Sequence, residues 1–142
     1  MIDQGIMYNG NLGMRLELWS DANCGGEEGR ESVSGFVAII TGGSVTCSSK
    51  KQGSVALSST ESEYMALLHA LKELIWLQCF LKEIGYDVSN QNTIYCDNQS
   101  AITLAHNPEH HARTKHIDIQ YHFVRNCVED GMTRLEYSPT VD

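Results

Sequence analysis

Hydrophobic and polar residues alternate along positions 15–20, a pattern typical of a strand with one buried face. Leu16 and Leu18 lie on one face of this segment, and Glu17 and Trp19 lie on the other. Four further short segments alternate or are rich in β-branched residues, and they are also predicted to be strands: 34–40, 44–47, 92–97 and 133–137. Because the first three strands are joined by short loops, they are predicted to form an antiparallel meander.

The hydrophobic period becomes helical between Thr60 and about Ile84, and Gly85 provides a stop signal. The apolar stripe of this predicted helix consists of Tyr64, Leu67, Leu68, Leu71, Leu74, Ile75 and Leu81. Two more helices are predicted, at 98–106 and 116–130. The element order is therefore βββαβααβ, which indicates an α/β fold with a mixed sheet and flanking helices. Residues 1–14 are predicted to be a lead-in segment, and residues 15–142 a single domain.

Composition limits the class of protein. A chain of 142 residues with 42% hydrophobic and 20% charged residues can bury one globular core. Its five cysteines are scattered, without a Cys-x-x-Cys pair, which favours free thiols in a reducing compartment. We find neither a secretion signal nor an uninterrupted apolar run of about 20 residues, so a cytoplasmic location without a membrane partner is expected.

The formal net charge of −8 argues against generic nucleic-acid binding, which usually leaves a basic footprint. One interpretation is a protein that does not bind nucleic acids. The alternative is that some of the acidic residues form a metal site, and that a neighbouring domain supplies most of the affinity for the substrate.

Three acidic residues stand at the boundaries of predicted elements. Asp21 and Asp97 close strand-like segments, and Glu63 opens the long helix. Carboxylates at strand ends converge on one rim of a sheet, where their mutual repulsion favours a hard divalent cation such as Mg²⁺ or Mn²⁺. This pattern is typical of a two-metal phosphoryl-transfer site.

Each of these residues also has a structural interpretation. Asp21 fits a solvated turn, and Asp97-Asn98 fits the N-cap of the following helix. Thr60-x-x-Glu63 fits a capping box, in which the glutamate would bond the helix start. Periodicity alone does not distinguish Glu61 from Glu63, because both lie at the edge of the apolar stripe.

Several blocks of the chain resemble the ribonuclease H domain of copia-type LTR retrotransposon polyproteins. The matching blocks are WSDAN at 19–23, SVSGF at 32–36, SSKKQ at 48–52, LSSTESEY at 57–64, DNQSA at 97–101, RTKHIDIQYHF at 113–123 and LEYSPT at 135–140. They occur in the family's order and cover nearly the whole chain.

The resemblance implies a ribonuclease H-like fold with a five-stranded mixed sheet. It implies cleavage of the RNA strand of an RNA–DNA hybrid during reverse transcription, in a retrotransposon particle. The implied metal ligands are Asp21, Glu63 and Asp97, which would hold two Mg²⁺ or Mn²⁺ ions. The implied partners are the RNA–DNA hybrid and the reverse transcriptase domain of the same polyprotein. The competing prediction is an inactive module of the same fold that serves as an interaction or connection domain.

The chain departs from the family pattern in two ways. Asn23, Cys24 and Cys47 stand where the family commonly has an acidic residue and two tryptophans. Relatives also carry one more helix, with a fourth catalytic aspartate, after the position at which this chain stops. Asp118 and His116 are the candidates here for a fourth ligand or a proton shuttle.

Substrate contacts are predicted for polar residues that flank the carboxylates: Asn23, Thr60, Asn98, Gln99 and Lys115. Candidate phosphate contacts are Arg30, Lys50, Lys51 and Arg113, together with Lys115, although Lys50-Lys51 also fits an ordinary solvated face. The histidines and cysteines lack the paired short-range spacing of a structural zinc site, so zinc is not expected.

Overall fold

The structure is a computed structural model, and it describes residues 3–24, 31–88, 92–107 and 115–139, with the side chains of residues 115–117 left out. Its strands are β1 (Leu16–Asn23), β2 (Val33–Ile40), β3 (Gly43–Lys51), β4 (Asn92–Cys96) and β5 (Arg134–Tyr137). Its helices are α1 (Ser59–Glu83), α2 (Gln99–His106) and α3 (Lys115–Glu129), preceded by a short 3-10 turn at Gly10–Leu12. The predicted order βββαβααβ is confirmed.

The five strands form one mixed sheet in the order β3-β2-β1-β4-β5. The pairs β1–β2 and β2–β3 are antiparallel, which confirms the meander, whereas β4 pairs in parallel with both β1 and β5. Parallel neighbours require a crossover connection. Between β1 and β4 the chain passes through β2, β3 and α1, and between β4 and β5 it passes through α2 and α3. The centre of the sheet is therefore β1, flanked by one antiparallel and one parallel partner.

Two strands are longer than the hydrophobic pattern predicts. β1 continues to Asn23, so Asp21 lies inside the strand and does not close it. The reason is pairing with β2, whose residues 33–35 extend the ladder to Asn23. β3 likewise continues to Lys51, because polar residues on an edge strand can pair without being buried. Of the predicted loop at 23–29, residues 25–29 lie outside the described residues.

The core lies between α1 and one face of the sheet. Alternate residues of β1 and β4, including Leu16, Leu18 and Ile94, are fully buried beneath the helix. Residues on the other face, such as Trp19 and Tyr95, are only half-buried and stack with their ring centroids 4.6 Å apart. The helix contributes the stripe that the sequence predicts, namely Tyr64, Leu67, Leu68, Leu71, Leu74 and Leu81, with Ile75 half-buried at its edge.

By length and composition alone, α1 is also apolar enough to cross a membrane, and it is the one such helix among the described residues. Half of its most apolar window is buried inside this structure. Core helices of globular proteins meet the same criterion, so this is weak evidence for a membrane span.

The lead-in segment contacts the turn between β2 and β3. The backbone N–H of Asn9 donates to the carbonyl of Thr41 at 2.8 Å, and the Tyr8 hydroxyl donates to the carbonyl of Ser44 at 2.9 Å. Gly43 allows this approach, because a Cβ there would lie 2.6 Å from the Tyr8 ring. The division into a lead-in and a domain remains a prediction.

Candidate metal centre

Two acidic residues lie side by side where β1 and β4 stop pairing. The last parallel pair joins Ser20 of β1 to Cys96 of β4. Asp21 and Asp97 are the residues that directly follow this pair. Neighbouring strands are about 4.8 Å apart, and both strands run toward the same edge of the sheet. The parallel register therefore places two carboxylate-bearing residues next to each other at the carboxyl end of β4.

Glu63 reaches the same place from the first turns of α1. Its side chain is only 7% exposed, and the backbone of Ala22 hydrogen-bonds to its carboxylate. Ligand atoms of Glu63, Cys96 and Asp97 lie within 4.8 Å of one another. The structure thus brings Glu63 and Asp97 together from distant parts of the sequence; Asp21 does not belong to this group, although its negative charge acts on Glu63.

The start of α1 explains why Glu63, and not Glu61, faces the sheet edge. The N-cap is Ser58, whose hydroxyl accepts a hydrogen bond from the Glu61 N–H at 3.1 Å. The Glu61 carboxylate in turn accepts from the Leu57 N–H at 2.8 Å. The prediction of a capping box at Thr60 and Glu63 is therefore wrong. The cap lies two residues earlier, at Ser58 and Glu61, and Glu63 takes no part in it.

This cap register has a measurable consequence. Replacing Ser58 with alanine is expected to lower the free energy of unfolding by about 1 kcal/mol, because the Glu61 N–H loses its acceptor. Thr60→Ala is the matched control, with an expected change of no more than about 0.5 kcal/mol. Urea denaturation measures both free energies of unfolding. A larger decrease for Thr60→Ala than for Ser58→Ala would favour the cap at Thr60 that the sequence predicts.

Among the described residues, the charged groups that shift the pKa of Glu63 are both negative. Burial, followed by the negative charges of Asp97 and Asp21, raises the pKa of Glu63 to about 7, and only the hydrogen bond from Ala22 opposes this shift. One carboxylate oxygen of Glu63, Oε2, is buried and has no hydrogen-bond partner in the part of the chain that the structure describes. A divalent cation would satisfy this oxygen and offset the repulsion, so the residues present fit a hard metal ion.

Cys96 is a neighbour of the cluster that sequence reasoning did not single out for this site. Burial raises the pKa of its thiol to about 11, so it remains protonated at neutral pH. Its sulfur accepts a hydrogen bond from the Asn98 N–H at 3.4 Å. A buried neutral thiol forms an apolar floor beside the carboxylates rather than a ligand for Mg²⁺. Its position directly before Asp97 is the signal that could have identified it.

All five cysteines are free, as predicted, and Cys96 and Cys127 are the buried ones.

The predicted substrate-contact residues surround this cluster. Asn98 is the N-cap of α2, and its side-chain oxygen accepts from the Ala101 N–H at 2.9 Å, which confirms the capping interpretation. Gln99 begins α2 and is exposed, Asn23 ends β1 and is exposed, and Thr60 is half-buried in the first turn of α1. Their contacts with a substrate remain predictions.

The remaining candidates are less well placed or lie outside the description. Asp118 is half-buried in the first turn of α3, and it does not belong to the group formed by Glu63, Cys96 and Asp97. The side chains of Lys115 and His116, and all of Arg30 and Arg113, lie outside the described residues. A fourth ligand or proton shuttle therefore remains a prediction.

Known proteins resemble this chain in sequence. It is 45% identical over 121 residues to the Retrovirus-related Pol polyprotein from transposon TNT 1-94 of Nicotiana tabacum, a match that covers 84% of this chain and 9% of that protein. It is 38% identical over 141 residues to the corresponding polyprotein from transposon RE2 of Arabidopsis thaliana, covering 99% of this chain and 10% of that protein. The chain thus spans about a tenth of the length of these relatives. No protein-family model matches it.

Solved structures resemble it in fold. LC11-RNase H1, solved in complex with an RNA/DNA hybrid, superposes with a TM-score of 0.61 at 16% identity, covering 88% of this chain and 86% of that chain. The foamy viral protease-reverse transcriptase, solved in complex with dsDNA, gives a TM-score of 0.64 at 13% identity, covering 92% of this chain and 24% of that chain. At these identities the similarity shows the fold alone.

Proposed function

This chain belongs to the Pol polyproteins of copia-type transposons and has the ribonuclease H fold, and from that premise we propose that it is a metal-dependent endonuclease domain. Its substrate is the RNA strand of RNA–DNA hybrids formed during reverse transcription. The observation that carries the proposal is the approach of Glu63 to Asp97, beside Asp21 at one sheet edge, with a buried Glu63 oxygen that has no hydrogen-bond partner among the described residues.

The three carboxylates are the residues that would hold divalent ions. Two bound Mg²⁺ or Mn²⁺ ions would supply a nucleophilic water at neutral pH and stabilise the departing 3′ oxygen. Glu63 must lose its proton to act as a ligand, and a pKa of about 7 allows it to release that proton near neutral pH. The cap at Ser58 and Glu61 fixes the start of α1 and thereby positions Glu63 beside β1.

The acidity of the chain is consistent with action inside a larger protein. The relatives are about ten times longer than this chain. We propose that the reverse transcriptase domain of the same polyprotein supplies much of the affinity for the hybrid, which offsets the net charge of −8. Five free cysteines agree with a reducing, cytoplasmic particle as the place of action.

The net charge also favours a second candidate function, a non-catalytic interaction module of the same fold. A cleavage assay separates the two. The chain is incubated with a hybrid whose RNA strand carries a 5′ label, in Mn²⁺, in Mg²⁺ and in chelator, beside a DNA duplex of the same sequence. We expect cleavage of the RNA strand only when a metal ion is present, leaving 5′ phosphate and 3′ hydroxyl ends. Hybrid binding without cleavage in either metal would instead identify the interaction module.

A further inference from the structure

A cavity lies at the edge of the sheet where β4 and β5 begin, opposite to the edge that carries the carboxylates. Its volume is about 570 Å³, and it also borders the ends of α2 and α3. We call it the β4–β5 cavity; its polar side chains include Asn92, His106, Arg134 and Glu136. Asn92 begins β4, and Asp97 directly follows that strand. At the rise of a β-strand, the cavity therefore lies roughly 16 Å from the candidate metal centre.

Asn92 brings an unpaired polar side chain into the lining of this cavity. The residue is only 4% exposed, and neither its amide nitrogen Nδ2 nor its amide oxygen Oδ1 has a hydrogen-bond partner among the described residues. Buried side-chain amides are nearly always hydrogen-bonded in folded proteins, because burying an unpaired polar atom is unfavourable. A ligand that pairs with both atoms would remove this penalty.

The position of Asn92 in the sheet does not require a polar residue. Asn92 pairs with Leu16 on β1, and it alternates along β4 with Ile94 and Cys96 on the buried face. Leu16 and Ile94 are fully buried in the core. An aliphatic side chain at position 92 would extend this core without leaving an unpaired group. The described residues therefore give the amide no structural role.

The chemistry of the lining selects a flat ligand. A side-chain amide holds a donor and an acceptor side by side in one plane, and it pairs with an edge that presents an acceptor beside a donor. Adenine has such an edge, in which the N6 amine donates to the amide oxygen and N7 accepts from the amide N–H. Val128, Met132 and Leu135 also line the cavity and are half-buried. Aliphatic and thioether groups of this kind pack favourably against the faces of an aromatic ring.

The charges of the lining favour an uncharged ligand. Arg134 and Glu136 are both exposed and of opposite sign, so that their formal charges cancel. His106 is the remaining titratable side chain among the described residues of the lining, and it is exposed at the end of α2. A site for a phosphate or a carboxylate would carry an excess of positive charge. A neutral base fits this balance better than an anion does.

We propose that the β4–β5 cavity binds an adenine base, and that the Asn92 amide recognises the edge formed by N6 and N7. A free nucleoside and an unpaired adenine of an RNA strand present this same edge, and the experiment below distinguishes the two sources. Binding at this cavity is independent of cleavage at the carboxylates, because the two sites lie at opposite edges of the sheet.

Isothermal titration calorimetry with adenosine tests this assignment on the whole chain. Adenosine is expected to bind wild type, and Asn92→Asp should bind it about tenfold more weakly, because a carboxylate has no N–H for N7. Wild type should bind 7-deazaadenosine, which lacks the N7 acceptor, about tenfold more weakly than adenosine. Asn92→Leu should lose this discrimination between the two nucleosides. Asn126→Asp is the matched control, since Asn126 is exposed on α3, and its affinity should equal that of wild type.

Two RNA pentanucleotides, UUAUU and UUUUU, distinguish the sources of the base. Tighter binding of UUAUU than of adenosine, without binding of UUUUU, would identify an RNA strand as the ligand. Equal affinity for UUAUU and adenosine would identify the free base as sufficient. Either result supports the adenine site.

Three results would overturn the adenine site. They are a wild type that binds neither adenosine nor UUAUU, equal affinity of wild type for adenosine and 7-deazaadenosine, and binding of N-acetylglutamine amide as tight as that of adenosine. The last result would identify a carboxamide ligand without a ring. Melting temperatures of the variants at or above that of wild type establish that the fold is intact. If Asn92→Leu fails to fold, Asn92→Asp and the comparison of the two nucleosides on wild type still decide the question.

Discussion

Asp97→Asn is expected to cleave the hybrid at least about 100-fold more slowly than wild type, while retaining the fold. A loss of this size corresponds to about 2.7 kcal/mol of transition-state stabilisation. The physical reason is that Asp97 stands at the carboxyl end of β4 with its ligand atom within 4.8 Å of that of Glu63. An amide keeps the shape of the side chain but removes the charge that a bridging cation requires. The rate is measured with the labelled hybrid under single-turnover conditions.

The control for this experiment removes one negative charge elsewhere. Asp130→Asn changes an exposed residue just after α3, and its cleavage rate should equal that of wild type. Equal cleavage by wild type and Asp97→Asn would discard the assignment of Asp97 as a ligand. Equal loss in both variants would instead point to a general effect of net charge on substrate binding.

The fold was largely predictable, because its elements follow from local patterns. The alternation at Leu16 and Leu18, the helical stripe that begins at Tyr64 and the stop at Gly85 each depend on residues close in sequence. The errors occur where pairing with a partner strand matters. Nothing between positions 21 and 23 is apolar enough to predict a strand, and only the ladder with β2 continues β1 to Asn23.

The candidate metal centre was predictable in part. The sequence predicts that Asp21 and Asp97 converge, because both follow strand segments that end at one edge of the sheet. The register of β1 and β4 adds that both residues directly follow the Ser20–Cys96 pair. The choice between Glu61 and Glu63 could not be made from the pattern. Each lies three residues after a hydroxyl residue, so both fit a capping box. Only the folded structure shows that Ser58 is the cap and that Glu61 bonds Leu57.

The groove between the end of β3 and the middle of α1, which is lined by Lys50 and Lys72, could not be predicted for a different reason. Lys50 and Lys72 belong to an edge strand and a helix, and no short-range pattern relates them. Their proximity depends on the contact of α1 with β2 and β3, including the edge-to-face packing of Phe36 on His69, whose ring centroids are 4.9 Å apart. Sites made from one strand end or one helix turn can be predicted from sequence, whereas sites between two packed elements require the tertiary structure.

Glu63→Gln is expected to stabilise the metal-free protein at pH 8 while abolishing cleavage. In the folded state the pKa of Glu63 is about 7, against 4.5 for the free side chain. Glu63 therefore binds its proton more tightly in the folded state than in the unfolded state. The protonated side chain stabilises the folded state fully below pH 4.5, and this stabilisation is lost as the pH rises through 7. Glutamine has no proton to lose, so the variant should be more stable than wild type by about 3 kcal/mol at pH 8.

Thermal and urea denaturation in chelator at pH 4.5, 6, 7 and 8 test this prediction. The difference between variant and wild type should be close to zero at pH 4.5 and should grow up to about pH 7. Glu129→Gln, which changes an exposed residue at the end of α3, is the control and should show no such trend.

Addition of Mn²⁺ should reverse the order at pH 8. In wild type, a cation binds the ionised Glu63 and stabilises only the folded state. The variant binds the cation more weakly, so its free energy of unfolding increases less. A difference that does not vary with pH in chelator would show that Glu63 is not desolvated beside Asp21 and Asp97. In that case the electrostatic reason for placing a divalent cation at this sheet edge would be lost, even if the three side chains lie as the structure has them.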